Sequence, residues 1–270
     1  MSHVVQFLSK AFAFLVRYRK HPLYVLVFLW GYCLRNFTFS IHFYTNEELV
    51  SHLEKGKSLI RFGDGDMVSI PLDLENCYHV SSQKLKDMYA TIIREYRDTS
   101  PYVLSVPVFV NMKNTELKEM GPGKLRWGVS MKTMFFLRFN KKVAYMDAHN
   151  FYYDNFFEGI IAPIFKDKQV VFVTNKNTIE RQRNNQNLPW KNPIYVETPF
   201  VDALNAYDSI KKELDDKIAP FRKKDIVIFA AMGPVGKYIL YEYAEKGYQG
   251  IDIGKVCEVM FTGESIQYMI

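Results

Sequence analysis

The sequence predicts an α/β fold, a largely parallel sheet flanked by helices with a helical appendage at the N-terminus. Three observations carry this. Strand-like and helix-like stretches alternate over most of the chain beyond residue 44. Val170-Val171-Phe172-Val173 and Ile226-Val227-Ile228-Phe229 are continuous apolar runs, the pattern of parallel strands buried on both faces. Three strand-like runs end in acidic or glycine-rich turns, which places polar groups at strand carboxyl ends, where open parallel sheets bind ligands.

In order, Asn46 caps a helix with acids in its first turn, and Gly56 ends it. Leu59, Ile60 and Phe62 form a strand. Leu85, Met88, Ile92 and Tyr96 recur at helical spacing over residues 83–97. A strand covers 102–106 and stops at Pro107. Residues 113–128, with Gly121-Pro122-Gly123, read as a polar loop or short helix. Further helices are expected at 131–139, 151–165 (rich in aromatics), 178–186 and 201–218. Strands are expected at 142–146, 169–174, 194–196 and 225–231. The last of these runs into Gly233-Pro234-Val235-Gly236-Lys237 and a helix that Gly247 stops, and a final strand spans 250–254.

Hydrophobic residues make up 48% of the 270 positions, enough for a packed core. Cys33, Cys77 and Cys257 are odd in number and widely spaced, which argues against a disulfide framework and fits a reducing cytoplasm. The formal charge is +6, but no acid precedes Glu47, while Lys10, Arg17, Arg19, Lys20 and Arg35 do. The cationic charge is therefore concentrated in an arm, not spread over a nucleic-acid-binding face. Residues 4–15 have helical apolar spacing, and 23–34 form an aromatic apolar run shorter than the roughly 20 residues that span a bilayer. Two readings of the arm, residues 1–43, stand side by side: an interfacial anchor on anionic lipid, or helices packed on the body of the domain or a second subunit. Residues 44–270 form one domain.

Four groups of residues carry candidate chemistry. In Arg61-Phe62-Gly63-Asp64-Gly65-Asp66, a strand enters an acidic turn. Gly63 and Gly65 remove bulk, and Asp64 and Asp66 repel unless a cation or donor lies between them. Mg²⁺ or Mn²⁺ takes such carboxylates together with phosphate oxygens; a solvated Asp-Gly turn is the plain alternative. Asp147 and His149 follow a second strand, Asp147 as a candidate metal ligand, base or partner for sugar hydroxyls and His149 as a candidate general base or donor to phosphate, with ordinary polar surface as the plain alternative. The turn from Gly233 to Lys237 can cradle phosphate through backbone N–H groups, a helix N-terminus and the Lys237 ammonium, though it lacks the P-loop spacing. Lys176, Arg181 and Arg183 lie on a polar run that is otherwise a solvated face, and Glu158 is a lesser candidate.

The first of these stretches resembles the Arg-Phe-Gly-Asp-Gly-Glu signature of GT-D type bacterial glycosyltransferases. Ala231-Met232-Gly233-Pro234 and Gly247-Tyr248-Gln249-Gly250-Ile251-Asp252-Ile253-Gly254 are similar to that family's closing segment. The resemblance covers roughly residues 45–256. It implies a Rossmann-like fold and a sugar transferred from a nucleotide donor, chiefly UDP-linked, in surface-glycan or glycoprotein assembly; the basic aromatic arm would dock such an enzyme near a lipid-linked acceptor. It also implies a divalent cation, Mn²⁺ or Mg²⁺, on an Asp-x-Glu pair that falls here on Asp64 and Asp66, with Asp66 one methylene shorter. Arg61, Gly63, Gly65, Gly233 and Lys237 would then hold the donor. An enzyme of this kind would act at the cytoplasmic face of the membrane, peripherally, as a monomer or homo-oligomer. A nucleotide-binding α/β enzyme such as a methyltransferase, or a non-catalytic membrane-docking partner in glycan assembly, is the competing reading.

Overall fold

The computed structural model describes residues 21–33, 40–74, 82–152 and 155–262. The expected helix at 4–15, Cys77 and the tail beyond 262 lie outside them. Seven strands form one all-parallel sheet: β1 (Ser58–Arg61), β2 (Tyr102–Val106), β3 (Met146–Asp147), β4 (Gln169–Asn175), β5 (Ile194–Thr198), β6 (Ile226–Ala231) and β7 (Gly250–Asp252). Their spatial order is β3-β2-β1-β7-β6-β4-β5. The final strand therefore sits in the middle, paired with β1 on one side and β6 on the other.

The apolar strands alternate between two cores. Val171, Val173, Ile228 and Ala230 join one cluster, and Val170, Phe172, Val227 and Phe229 the other. A sheet covered on both faces has no polar side, which is why these strands read as unbroken apolar runs. The first cluster is closed by helices α1 (Pro22–Cys33), α3 (Gln83–Glu95), α5 (Pro122–Arg138), α8 (Tyr207–Ile218) and α9 (Pro234–Glu245). The second is closed by α2 (Asn46–Glu54) and the aromatic segment around Phe151, Phe157 and Phe165. The short α4 (Asn114–Glu119) leads into α5, and α6 (Ala162–Ile164), α7 (Lys176–Asn184) and α10 (Val256–Val259) are the other α-helices among the described residues.

Local differences from expectation have physical causes. Thr45, not Asn46, caps α2, because its hydroxyl accepts from Glu48 N–H while the Glu48 carboxylate accepts from Thr45 N–H, a capping box. Gly121-Pro122-Gly123 opens a 17-residue helix and is not a loop: Gly121 holds φ +109° outside it and Pro122 takes a first-turn position, where its missing N–H costs nothing. The aromatic stretch 151–165 is not one helix. It divides into a 3₁₀ turn (Asn150–Tyr152), a π turn (Phe157–Ile161) and α6, with Asn155 at φ +64° between them. The strand expected over 142–146 joins β2 only from Met146, continuing to Asp147, while Tyr145 makes an isolated parallel bridge with Phe43.

Helix α1 is docked on α5. Gly31 lies so close to Val129 and Thr133 that an added Cβ would overlap both. Its carbonyl accepts from Asn114 Nδ2 at 3.2 Å, and Asn114 Oδ1 accepts from Lys132 Nζ at 2.9 Å. Tyr24 packs beside Trp127 and Trp30 meets the Phe136 ring edge-on.

Candidate active site

A cleft of about 920 Å³ runs along the carboxyl edge of the sheet. It gathers the residues that follow β1, β7, β6, β4 and β5, together with His149 beyond β3. This is the region where an open parallel sheet binds its ligand.

The floor is a lattice of buried charge built from three chain segments. Arg61, the last residue of β1, donates from Nε to the Asp252 carbonyl at 2.7 Å, and its Nη2 lies 3.5 Å from Asp252 Oδ1. Its guanidinium stacks on the Phe151 ring, 4.3 Å from the centroid. Gly254, at φ +48°, allows this: an added Cβ would overlap Arg61 Nη2. Lys237, on the first turn of α9, sends Nζ to 3.3 Å from Asp66 Oδ2 and 3.2 Å from Asp252 Oδ2. Asp252 Oδ2 is buried, and its charge faces Lys237 Nζ as an ion pair. Burial pulls the Lys237 pKa down more than any other single influence, but Asp252 and Asp66 together outweigh it and the net shift is upward. Lys237 thus stays an ammonium.

The acidic turn splits its two carboxylates. Asp64 is exposed and accepts from Gly65 N–H through Oδ1 at 2.8 Å. Asp66 is turned inward. Its Oδ2 accepts from Gly63 N–H at 2.8 Å, and its Oδ1 accepts from the Tyr89 hydroxyl at 2.6 Å. Burial, then the Asp66 charge, pushes the Tyr89 pKa well up, which keeps that hydroxyl a donor. The turn continues as a π-helical segment, Gly65–Ser69. Opposite it, Gly233 adopts φ +68°, ψ −148°, and Pro234 starts α9. The two glycine turns line the same cleft, and Lys237 joins them.

The other sequence candidates divide. His149 lines the cleft beside Phe109, ring centroids 4.9 Å apart. Asp147 does not line it. Its Oδ1 accepts from Val108 N–H at 3.2 Å and His149 N–H at 3.0 Å, and lies 3.3 Å from His149 Nδ1. Asp147 therefore shapes the turn that presents His149. From the polar run, Asn175 and Thr178 reach the cleft, whereas Lys176, Arg181 and Arg183 do not line it. Glu158 accepts from Phe261 N–H.

Sequence reasoning missed Tyr89 and the placement of Asp252. Tyr89 lies on the apolar face of α3, where helical spacing marks a residue as core and says nothing of its hydroxyl. Asp252 carried a signal, an acid directly after a buried Gly-Ile pair at a strand end.

Among the described residues no three His, Cys, Asp or Glu side chains are grouped to hold a metal ion. A cation at the acidic turn would therefore complete its shell with substrate oxygens, as Mg²⁺ commonly does.

A family model described as glycosyltransferase GT-D fold matches residues 59–259. No curated protein matches the chain. Among solved structures, a glycosyltransferase from Streptococcus sanguinis built on domain of unknown function 1792 aligns with TM-score 0.65 at 18% identity, covering 86% of this chain and 88% of its own. Another structure, described as that domain with a distinct glycosyltransferase fold, aligns with TM-score 0.67 at 19% identity over 85% of both chains. At these identities the structures establish the shared fold.

Proposed function

Because the chain belongs to the GT-D glycosyltransferase family, we propose that its cleft takes a nucleotide-sugar donor, UDP-linked, and passes the sugar to a surface-glycan or lipid-linked acceptor at the inner membrane face. The observation that supports this is the pair of glycine turns, Gly63–Asp66 and Gly233–Lys237, joined by Lys237 over a buried floor. Backbone N–H groups at the first turn of α9 and a fixed ammonium suit a diphosphate.

The residues fit a divalent cation held by Asp64 together with donor phosphate oxygens. Asp64 is exposed on the cleft, whereas Asp66, the other ligand the resemblance implies, joins only by releasing Lys237 or Tyr89. Asp64 would then hold Mn²⁺ or Mg²⁺, whose chemistry there would be that of a Lewis acid towards a departing diphosphate.

The chain's own groups do the rest. Lys237 and Arg61 present fixed positive charge beneath the phosphates, and no water need reorganise as charge develops. Gly63 and Gly233 let the backbone approach closely. His149, held by Asp147 and lining the same cleft, takes the proton of the acceptor hydroxyl.

The test is turnover of UDP-sugars by the full chain with and without Mn²⁺. Asp64→Asn is expected to lower metal-dependent turnover at least a hundredfold, and Asp66→Asn to lower it as well. Wild-type rates in both variants would remove the site from consideration.

A further inference from the structure

The outward face of α1 is unpartnered among the described residues. Tyr24, Val25, Val27 and Gly31 are buried against the body, while Leu23, Leu26, Leu29 and Trp30 are exposed, Leu26 at 63%. The helix contains no charged residue. At its far end Trp30 meets Phe136, Lys141 Nζ lies 4.7 Å over the Phe136 ring, and Leu137 is 53% exposed. A face of exposed leucines rimmed by tryptophan and lysine has the composition of a membrane-interface surface.

Docking α1 on α5 also sets it beside a second stretch of sequence that, like α1, has no acids. Residues 120–146 hold six of the 35 Lys and Arg and none of the 29 Asp and Glu. The cations on the second stretch include Arg138, Lys141 and Lys142, all exposed at the end of the apolar face. The complement of an apolar face bordered by unopposed cations is an anionic lipid surface. A protein partner of ordinary surface would leave these cations without counter-charges.

We infer that the α1–α5 face docks the protein on anionic lipid, with Leu23, Leu26, Leu29 and Leu137 entering the interface and Arg138, Lys141 and Lys142 meeting the headgroups. This deepens the functional reading and rests on it only for the acceptor. The first turns of α5, with Lys124 and Trp127, form a wall of the cleft, and Tyr24 of α1 packs on Trp127. The lipid surface thus lies against a wall of the sugar site, the arrangement a lipid-linked acceptor requires.

The test is flotation of the full chain with phosphatidylglycerol–phosphatidylcholine vesicles and with phosphatidylcholine alone, alongside light scattering and UDP-sugar hydrolysis in solution. The wild-type protein is expected to float with anionic vesicles only. L23S/L26S/L29S, all exposed positions, is expected to reduce flotation at least tenfold, and R138S/K141S/K142S several-fold, with circular dichroism and hydrolysis unchanged. Flotation undiminished in the leucine variant, or absent in the wild type, overturns the proposal. So does a wild-type dimer that the leucine variant dissolves, which would assign the face to a second copy. Loss of hydrolysis in every protein with flotation intact would strike the functional reading and leave the docking face standing.

Discussion

Two buried lysines show how this chain treats charge in two places. Lys237 lies under the cleft between Asp66 and Asp252, and those carboxylates hold its pKa above the ordinary lysine value despite burial. Lys132 lies in the seam between α1 and α5, where its partner is the neutral Asn114. There burial prevails, the charge of Glu116 offsets it only in part, and the pKa falls to about 8. Both lysines are buried, and their proton affinities shift in opposite directions because one faces carboxylates and the other an amide. The cleft keeps a permanent cation, while the seam uses hydrogen bonds to fix a helix.

The contrast is broken most severely by Lys237→Met, which leaves two buried carboxylates facing each other. A loss of about 3–5 kcal/mol in urea unfolding is expected, since removing one partner strands the others, and donor turnover should fall with it. Wild-type stability would mean the lattice does not hold the floor. Tyr89→Phe tests the same lattice more gently. It removes one donor from Asp66 and should cost about 1–3 kcal/mol, with donor KM rising as the turn loosens.

The seam is probed by Gly31→Ala. Its methyl group would meet Val129 and Thr133, so a cost of about 1–3 kcal/mol is expected, along with faster proteolysis within α1. The smallest effect at neutral pH is that of Lys132→Met, which shows as a slope. In the folded chain the Lys132 pKa is depressed, so between about pH 8 and 10.5 the unfolded state binds the extra proton and stability rises with pH. Subtracting the Lys132→Met profile from wild type should isolate that rise; parallel profiles would show that Lys132 titrates normally.

What was legible follows from which signals are local. The runs at 170–173 and 226–229 announced a two-faced parallel sheet because each residue's own apolarity reports burial. The acidic turn and the Gly233 turn were legible because glycine marks unusual backbone. The inward rotation of Asp66 was not, since it depends on Tyr89 and Lys237, which reach it from 23 and 171 residues away. The docking of α1 was open for a similar reason. A charge-free apolar helix is equally suited to lipid and to protein, and it is Gly31, with its close approach to α5, that decides one face. The break-up of 151–165 escaped notice because its aromatic spacing is compatible with a helix, whereas Asn155 at positive φ is not.

The central position of β7 has a consequence in time. Arg61 and its carbonyl partner on Asp252 are separated by 191 residues, and Ser58 Oγ accepts from Gly250 N–H across a similar span. Long-range pairing of this kind is slow, because loop closure must precede the contacts that reward it. During synthesis β1 and its acidic turn emerge early, yet they have no floor beneath them until residue 252 has left the ribosome. The nascent chain therefore carries an incomplete cleft until β7 has emerged to pair between β1 and β6.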